Sequence, residues 1–540
     1  MSAAARAGEL ARNVRFAASW GLGALRSDPA WLLLQAARRA PARWSARLVP
    51  LVERVVGDDA ARPGGRLRAA WAAGDVAPIR ATQPRTRTER RVREALLGQV
   101  DGLSLGAATE TPDGAPPAPA GSPAGPAAVH HHLTNSLPHT QSGYTLRTHA
   151  VLRAQRAAGH RVTATTRAGY PLTIGAIAAR GTDVVDGVPY TRLIPAALPA
   201  DHGRRFADAV DLLARELDAA APDVVHATTP WTTGDVARAA ARRAGLPWVY
   251  EVRGLPEETW VASHPTPEAR ERAAASERYA LVRAKETELA LAADAVVTLS
   301  GTMRDELAAR GVPPERITVV PNAVDDALLQ APAPSPAEAR VALGLTTARY
   351  VVGTVSSVVG YEGLDTVLRT VALLRSRGLD VAALLVGDGA ARPGLVRLAA
   401  ELGLGEHAIL PGRVPRDVAR TYLAALDAVL VPRRPDRVTR LVTPLKPVEA
   451  GAMGRPVVAS DLPALAEVLT PMAGDAPEPS GLLVPADDVE AWADAVTRVL
   501  TDDGLRAALV TRGLENARSR TWSRNAAVYA EVYAAARTRR

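Results

Sequence analysis

Leu441-Val-Thr-Pro-Leu-Lys-Pro-Val-Glu-Ala-Gly-Ala-Met-Gly-Arg-Pro-Val-Val-Ala-Ser460 compresses a turn, a short helix and a strand into one stretch, and its reading decides the fold. Pro447 suits the first helical position and Gly454 the residue past the end, so a helix is expected over 446–453. The β-branched run after it predicts a strand at 456–459. A short helix feeding a short, wholly apolar strand is the local pattern of a parallel sheet covered on both faces.

The same alternation continues outward from this stretch. Strands are expected at 350–354, 382–386, 408–410, 428–431 and 481–484, with helices at 364–377, 393–402 and 416–426 between them. Upstream, strands are expected at 129–133, 162–166, 224–227, 248–251, 295–299 and 317–320, with helices at 144–158, 204–220 and 267–292. The chain therefore reads as α/β, with two Rossmann-like doubly wound domains at 128–330 and 338–520 facing across a cleft. The Pro- and Ala-rich residues 331–337 read as a hinge, and a last helix within 521–540 is expected to cross back to the first sheet domain.

Two further segments precede the sheets. Residues 1–106 read as several helices, broken at Pro29, Pro41 and Pro63-Gly64-Gly65, and residues 107–127 form a Pro/Ala-rich linker unable to build a core. The first segment holds 18 arginines against 9 acids, a balance of +9, whereas the whole chain carries +8. The basic character thus belongs to the N-terminal segment, and the sheet domains are near neutral. That argues against a nucleic-acid partner. Trp20, Trp31, Trp44 and Trp71 lie in the same segment. A small helical domain with buried tryptophans is the first reading, and arginine and tryptophan gathered on an anionic membrane surface is the second.

At 540 residues, 47% hydrophobic and 23% charged, the composition is that of a globular protein. The absence of cysteine excludes disulfides, thiolate catalysis and cysteine metal sites. No apolar run approaches the roughly 18 residues that span a bilayer, and the N-terminus lacks the layout of a signal peptide. A cytoplasmic location is expected, at most at the inner face of the membrane.

Only two lysines occur among 65 basic residues, and one is Lys446. Lysine supplies a compact point charge where arginine supplies a planar fork, so its retention in an arginine-rich chain invites a question. Glu449 follows three residues later, on the same end of one helical face. A cation for phosphate and a carboxylate for ribose hydroxyls, at a helix start with free N–H groups, would hold a nucleoside diphosphate. The competing reading is ordinary surface electrostatics.

Several runs strengthen the first reading. Glu449-Ala-Gly-Ala-Met-Gly-Arg-Pro-Val-Val-Ala-Ser460, Leu385-Val-Gly-Asp-Gly389, Leu410-Pro-Gly-Arg-Val414, Ala295-Val-Val-Thr-Leu-Ser300 and Val320-Pro-Asn-Ala-Val-Asp325 together resemble the retaining family-four glycosyltransferases of GT-B fold, over roughly residues 128–540. The usual family motif is Glu, seven residues, Glu. Here Leu441 stands at the first glutamate, and the Arg and Lys that often follow the first donor-domain strand are replaced within Gly353-Thr-Val-Ser-Ser-Val-Val-Gly-Tyr-Glu-Gly-Leu-Asp365. The chain is similar to a Pro-Leu-Lys-Pro-x-Glu variant, in which Lys446, with Arg440 nearby, supplies the displaced positive charge.

The resemblance implies a sugar transferase acting with retention, with a nucleotide-sugar donor and a glycan, lipid-linked or small-molecule acceptor. It assigns Lys446, Arg253 and Arg440 to catalysis. Glu449, Lys446, Arg440 and Thr443 fall on the donor side, with Gly143, Ser356, Ser357, Gly387 and Gly389 as backbone or loop contacts. Asn135, Ser136, His139, Arg147 and Glu251 fall on the acceptor side, and Arg253 stands where the family often carries an active-site histidine. No cofactor and no metal are expected. The chain has no Asp-x-Asp, and His130, His131 and His132 are consecutive on a strand, pointing to alternate faces and unable to converge on one ion. Two rival functions remain open, a UDP-sugar epimerase and a nucleotide-sugar-binding scaffold that has lost its chemistry.

Overall fold

The computed structural model describes residues 3–27, 64–104, 125–199, 201–330, 332–345, 348–471 and 478–538, with isolated positions between 33 and 52. The breaks expected at Pro29, Pro41 and Pro63, Trp31, and the linker as far as residue 124 lie outside the described residues. The chain divides into two compact units, Met1–Gln141 with His160–Val296 and Tyr533–Arg540, and Ser142–Gly159 with Val297–Val532.

The first sheet comprises β1 (Ala128–Leu133), β2 (Arg161–Thr166), β3 (Thr182–Val185), β4 (Val188–Arg192), β5 (Val224–Thr228), β6 (Trp248–Val252), β7 (Ala295–Thr298) and β8 (Ile317–Val319). Their order is β3-β4-β2-β1-β5-β6-β7-β8. The strands from β4 through β2, β1 and β5 to β6 pair in parallel, and β3 turns back antiparallel on β4. Strand order reverses between β1 and β5, which is where the loops of an open α/β sheet diverge and leave a crevice.

The second sheet comprises β9 (Tyr350–Val355), β10 (Val381–Val386), β11 (Ala408–Gly412), β12 (Ala428–Val431), β13 (Val457–Ser460) and β14 (Gly481–Val484), in the order β11-β10-β9-β12-β13-β14. All five pairings are parallel. Side chains alternate between two cores. Val381, Ala383 and Leu385 of β10 join Ala428 and Leu430 of β12 beneath Trp492 on one face, whereas Leu384 and Val386 join Val429, Val431 and Val448 on the other. Both faces are covered, so these strands read as unbroken apolar runs. The order reverses between β9 and β12, a second switch point.

The two expected parallel-sheet layers are thus present, with local corrections. The helix expected over 267–292 is two, Pro267–Ala274 and Glu277–Ala292, because Ser276 caps the second by accepting from the Tyr279 N–H. Part of the expected hinge is the start of a helix, Pro336–Leu343, closed by a Ser335–Glu338 capping box. The β3–β4 hairpin, absent from the sequence reading, turns on Asp186 and Gly187, both at positive φ.

The described parts of the N-terminal segment belong to the first unit. The helix α1 (Ala3–Ser27) buries Phe16 among Leu172, Ala179 and Ile194, a burial worth roughly 2 to 3 kcal/mol. Asn13 Nδ2 donates to the carbonyls of Ile177 and Ala179 at 3.0 and 2.8 Å. Further along, Leu67, Ile79, Val92 and Leu96 form a small core with Trp71 against it. The Arg278 guanidinium is sandwiched 4.5 Å from both Trp71 and Trp260. Trp20 and Trp71 therefore face protein, whereas Trp44 is about half exposed, at 52%.

Candidate active site

The segment after β9 and the segment after β12 part at the second switch point, and the polar cluster of the second unit is built there. Ser356 and Ser357 follow β9, Glu362 sits in a 3-10 turn Gly360–Glu362, Arg433 follows β12, and Lys446 opens the helix Lys446–Ala452. Gly387, which follows β10, holds φ +139° because a Cβ there would lie 1.8 Å from the Ser356 carbonyl oxygen. Gly363, at φ +64°, lets the Glu362 turn close against the Pro432 carbonyl, 1.9 Å from where its Cβ would be. The two glycines thus bring the β9, β10 and β12 loops together.

Lys446 Nζ donates to Ser356 Oγ at 2.8 Å and is ion-paired with Glu362 Oε2. The other oxygen, Glu362 Oε1, accepts from Arg433 Nη2 at 2.8 Å, and Arg433 Nη1 donates to the Val442 carbonyl at 2.8 Å. Burial pushes the Glu362 carboxyl up, but Arg433 and Lys446 outweigh it and hold the group at about 2. Lys446 is lowered, chiefly by burial, with Glu362 opposing. The sequence reading paired Lys446 with Glu449. The structure gives it Glu362, 84 positions earlier, while Glu449 stands half-buried in the first helical turn and acts on the ammonium through its charge. Two of the three ammonium N–H groups are spoken for, leaving one for a ligand.

Of the other donor-side residues, Ser357 is exposed and its N–H makes no hydrogen bond among the described residues. Gly389 lies beyond Gly387 in the same turn, its N–H bonded to Asp388 Oδ1 at 2.9 Å. Thr443 is buried, its carbonyl accepting from Asn322 Nδ2 at 3.0 Å and its hydroxyl without a partner among the described residues. Arg440 is exposed at the end of the short helix Arg437–Leu441, with no side-chain hydrogen bond among the described residues. Arg433, not Arg440, therefore supplies the second cation of the cluster. It escaped the sequence reading although its place just past β12, at the C-terminal end of a parallel strand, was a usable signal.

Gly143 opens the helix Gly143–Ala157, exposed, with nothing within 4 Å of a built Cβ. Arg147, one turn later, is buried. Its guanidinium donates to the carbonyls of Val320 at 2.8 Å and Pro321 at 3.0 Å and to Asn322 Oδ1 at 3.1 Å, with Trp522 stacked at 5.3 Å. Arg147, read as an acceptor-side residue, braces the Val320–Asn322 segment, whose Asn322 in turn holds Thr443.

In the first unit, the loop after β1 is anchored from beneath. Arg192 donates to Ser136 Oγ at 2.5 Å and to the Leu137 carbonyl at 3.0 Å and pairs with Asp183 at 2.8 Å, while His139 Nε2 meets the same carboxylate at 3.0 Å. The Tyr170 hydroxyl donates to the Ser136 carbonyl at 2.7 Å. Ser136 and His139 thus hold the loop in place. Asn135 keeps a half-buried side chain with no partner among the described residues.

Glu251, fully buried at the end of β6, accepts from Arg253 Nη2 at 2.7 Å and contacts His226 Nε2 at 3.1 Å, and the other imidazole nitrogen of His226 meets the Tyr533 hydroxyl at 2.8 Å. Glu251 thus positions Arg253. Of the triplet on β1, His130 bonds Thr163 and Thr165, His132 bonds Thr165, and His131 stacks on His226 at 4.6 Å. Burial lowers His130 to about 4 and His132 to about 3, the latter also by the charge of His130, so both imidazoles are neutral near pH 7.

Two parallel α/β sheets in series, each with its polar residues at a switch point, are the architecture of the GT-B glycosyltransferases. Sucrose-phosphate synthase from Thermosynechococcus elongatus superposes with a TM-score of 0.59 at 19% identity, covering 75% of this chain and 98% of that one. HepE from Anabaena, in complex with UDP and glucose, superposes with a TM-score of 0.55 at 18% identity and the same coverage.

Residues 142–323 match the glycosyl transferase 4-like domain and residues 349–502 match the glycosyl transferases group 1. D-inositol 3-phosphate glycosyltransferase from Saccharomonospora viridis is 31% identical over 324 residues, 58% of this chain and 69% of that protein. The chain belongs to this glycosyltransferase family, which displaces the epimerase reading.

Proposed function

We propose that this glycosyltransferase moves a sugar from a nucleoside-diphosphate sugar to a hydroxyl of a glycan, lipid-linked or small-molecule acceptor, with retention at the anomeric carbon. The observation that carries the proposal is the Lys446–Glu362–Arg433 cluster at the β9/β12 switch point, with Glu449 one turn beyond Lys446. The usual basic residues after the first donor strand are missing, and Lys446 reaches Ser356, at the place they would leave vacant.

Departure of the nucleoside diphosphate concentrates negative charge on the phosphate and leaves an oxocarbenium-like sugar. The free N–H of Lys446 and the bare N–H of Ser357 would meet that charge, and the Glu449 carboxylate would accept from ribose hydroxyls. Glu362 fixes the ammonium in place, so it is a positioning residue. Retention follows if the leaving phosphate oxygen takes the acceptor's proton on the face it departs from, and no protein base is then required. On the acceptor side, Arg253 and Asn135 are the proposed contacts. UDP and glucose are bound by HepE, which makes a UDP-hexose the first donor to try.

No metal or other cofactor enters this chemistry, so chelators should leave transfer unchanged. The test is a donor screen followed by transfer with Lys446→Ala and Glu449→Ala. The expected result is a product of unchanged anomeric configuration, a large fall in kcat with Lys446→Ala and a raised donor KM with Glu449→Ala. Near-normal turnover in both variants, or an inverted product, would sink the assignment. Tight nucleotide-sugar binding without turnover over a broad acceptor panel would instead favour the scaffold reading, which Leu441 motivates.

A further inference from the structure

Helix α1 has two faces of different kinds. Glu9, Asn13, Phe16 and Trp20 follow one another at helical spacing and face the first unit, where Glu9 accepts from the Gly181 N–H at 3.2 Å and Asn13 and Phe16 are buried. At 100° per residue the opposite face carries Leu10, Val14, Ala18, Leu22 and Leu25. All five are exposed, and the Leu and Val side chains are each about half exposed, at 49–51%. A docked helix ordinarily turns polar residues outward. This one does the reverse.

Charge on the helix follows the same division. Its one acid, Glu9, is on the docked face, whereas the exposed Arg6 and Arg15 flank the apolar stripe on either side. Among the described residues, seven of the thirteen large hydrophobics left exposed lie before residue 52, and that segment is part of the region carrying the +9 balance. An aliphatic strip edged by cations, with no carboxylate facing outward, complements an anionic bilayer interface: the aliphatic groups enter the acyl boundary and the guanidinium groups meet phosphates.

We propose that the outward face of α1 seats the enzyme on an anionic membrane surface. The helix would lie flat along its roughly 37 Å length, between the lipid and the first unit. Trp20 and Trp71 are not the lipid contacts, because both pack inward. The inference does not depend on which acceptor is used.

Sedimentation of the full chain with vesicles of phosphatidylcholine alone, and of phosphatidylcholine mixed with phosphatidylglycerol, tests it. The wild type should bind the anionic vesicles at least about tenfold more strongly, and less so as ionic strength rises. Val14→Asp with Leu22→Asp should cut that binding at least about tenfold, with unchanged helicity, thermal midpoint and transfer to a soluble acceptor. Should that pair disturb the helix, Arg6→Glu with Arg15→Glu, on its polar edges, must weaken anionic binding alone. Unchanged binding in both variants, or equal binding to neutral vesicles, would overturn the proposal. So would a wild-type dimer that Val14→Asp with Leu22→Asp converts to monomer, since the stripe would then belong to a second copy.

Discussion

Replacing Glu362 with glutamine keeps the shape of the side chain and removes its charge, leaving Lys446 and Arg433 facing an amide. The wild-type carboxyl is held at about 2 against an ordinary 4.5, because Arg433 and Lys446 overcome the upward push of burial. That difference amounts to roughly 3 kcal/mol of preference for the charged form in the folded state. A folded-state value below the unfolded one gives stability that is complete above 4.5 and lost as pH falls through about 2. At pH 7 the Glu362→Gln protein should therefore be less stable by about 3 kcal/mol, in line with the cost of removing one member of a buried ion pair. For units of this size the thermal midpoint should drop by on the order of 6 to 10 °C.

The assay is the thermal midpoint of both proteins from pH 7 to pH 3. The gap should hold to about pH 4.5 and narrow below it, because the unfolded wild type then takes up a proton that the folded state, with its carboxyl held at about 2, does not. A gap that stays constant down to pH 3, or is negligible at pH 7, would refute a charged Glu362 coupled to both cations. Activity supplies a second readout. Glu362 opposes the downward push of burial on Lys446, so its loss lets the ammonium deprotonate at lower pH. The alkaline limb of the kcat/KM profile should move toward neutrality in the variant.

Gly387→Ala should destabilise the second unit by more than about 4 kcal/mol, since the contact at 1.8 Å is with a backbone carbonyl that no rotamer can relieve. Gly143→Ala should leave the thermal midpoint within about 1 °C, because nothing stands within 4 Å of the new methyl; any loss of transfer then reports on substrate approach. Arg147→Met removes three charge-assisted hydrogen bonds and should cost about 3 kcal/mol or more by denaturant unfolding. Arg147→Lys should rescue little of it, because an ammonium cannot reproduce the fork that spans Val320 to Asn322. Full rescue by lysine would contradict that geometry.

The central strands were legible because they are buried on both faces and read as apolar runs, as at Val381–Val386 and Ala428–Val431. The β3–β4 hairpin was not read, although Asp186-Gly187 between Val185 and Val188 is a strong two-residue turn signal; its strands are short and β3 is partly exposed, so the turn was the main clue. Within the site, local spacing put Glu449 beside Lys446, and the structure keeps them one turn apart. Local spacing could not supply Glu362 or Arg433, which reach Lys446 only because the sheet order reverses between β9 and β12. Ser136, His139 and Arg147 were placed on the acceptor side by the family resemblance. They proved to be consumed by Arg192, by Asp183 and by the carbonyls of Val320 and Pro321, partners 44 to 174 positions away.

Lysine rarity was the first pointer to Lys446, and the structure shows what that rarity measures. The chain's other lysine, Lys285, is fully buried, with Asp235 and Glu288 at 3.3 and 3.4 Å and Arg238 paired to the same two carboxylates. Both lysines thus sit in a cluster that also contains an arginine. In each, the compact ammonium takes a position beside carboxylates already engaged by a planar guanidinium. Rarity therefore marks crowded, buried charge clusters, and by itself it would rank Lys285 with Lys446. What separates them is position. Lys285 lies within the helix Glu277–Ala292, whereas Lys446 opens a helix at the point where two parallel strands diverge, beside an exposed N–H at Ser357 and a half-buried Glu449. Lys285→Met should accordingly lower stability and leave donor KM unchanged, and Lys446→Met should do the opposite in proportion, losing more activity than stability.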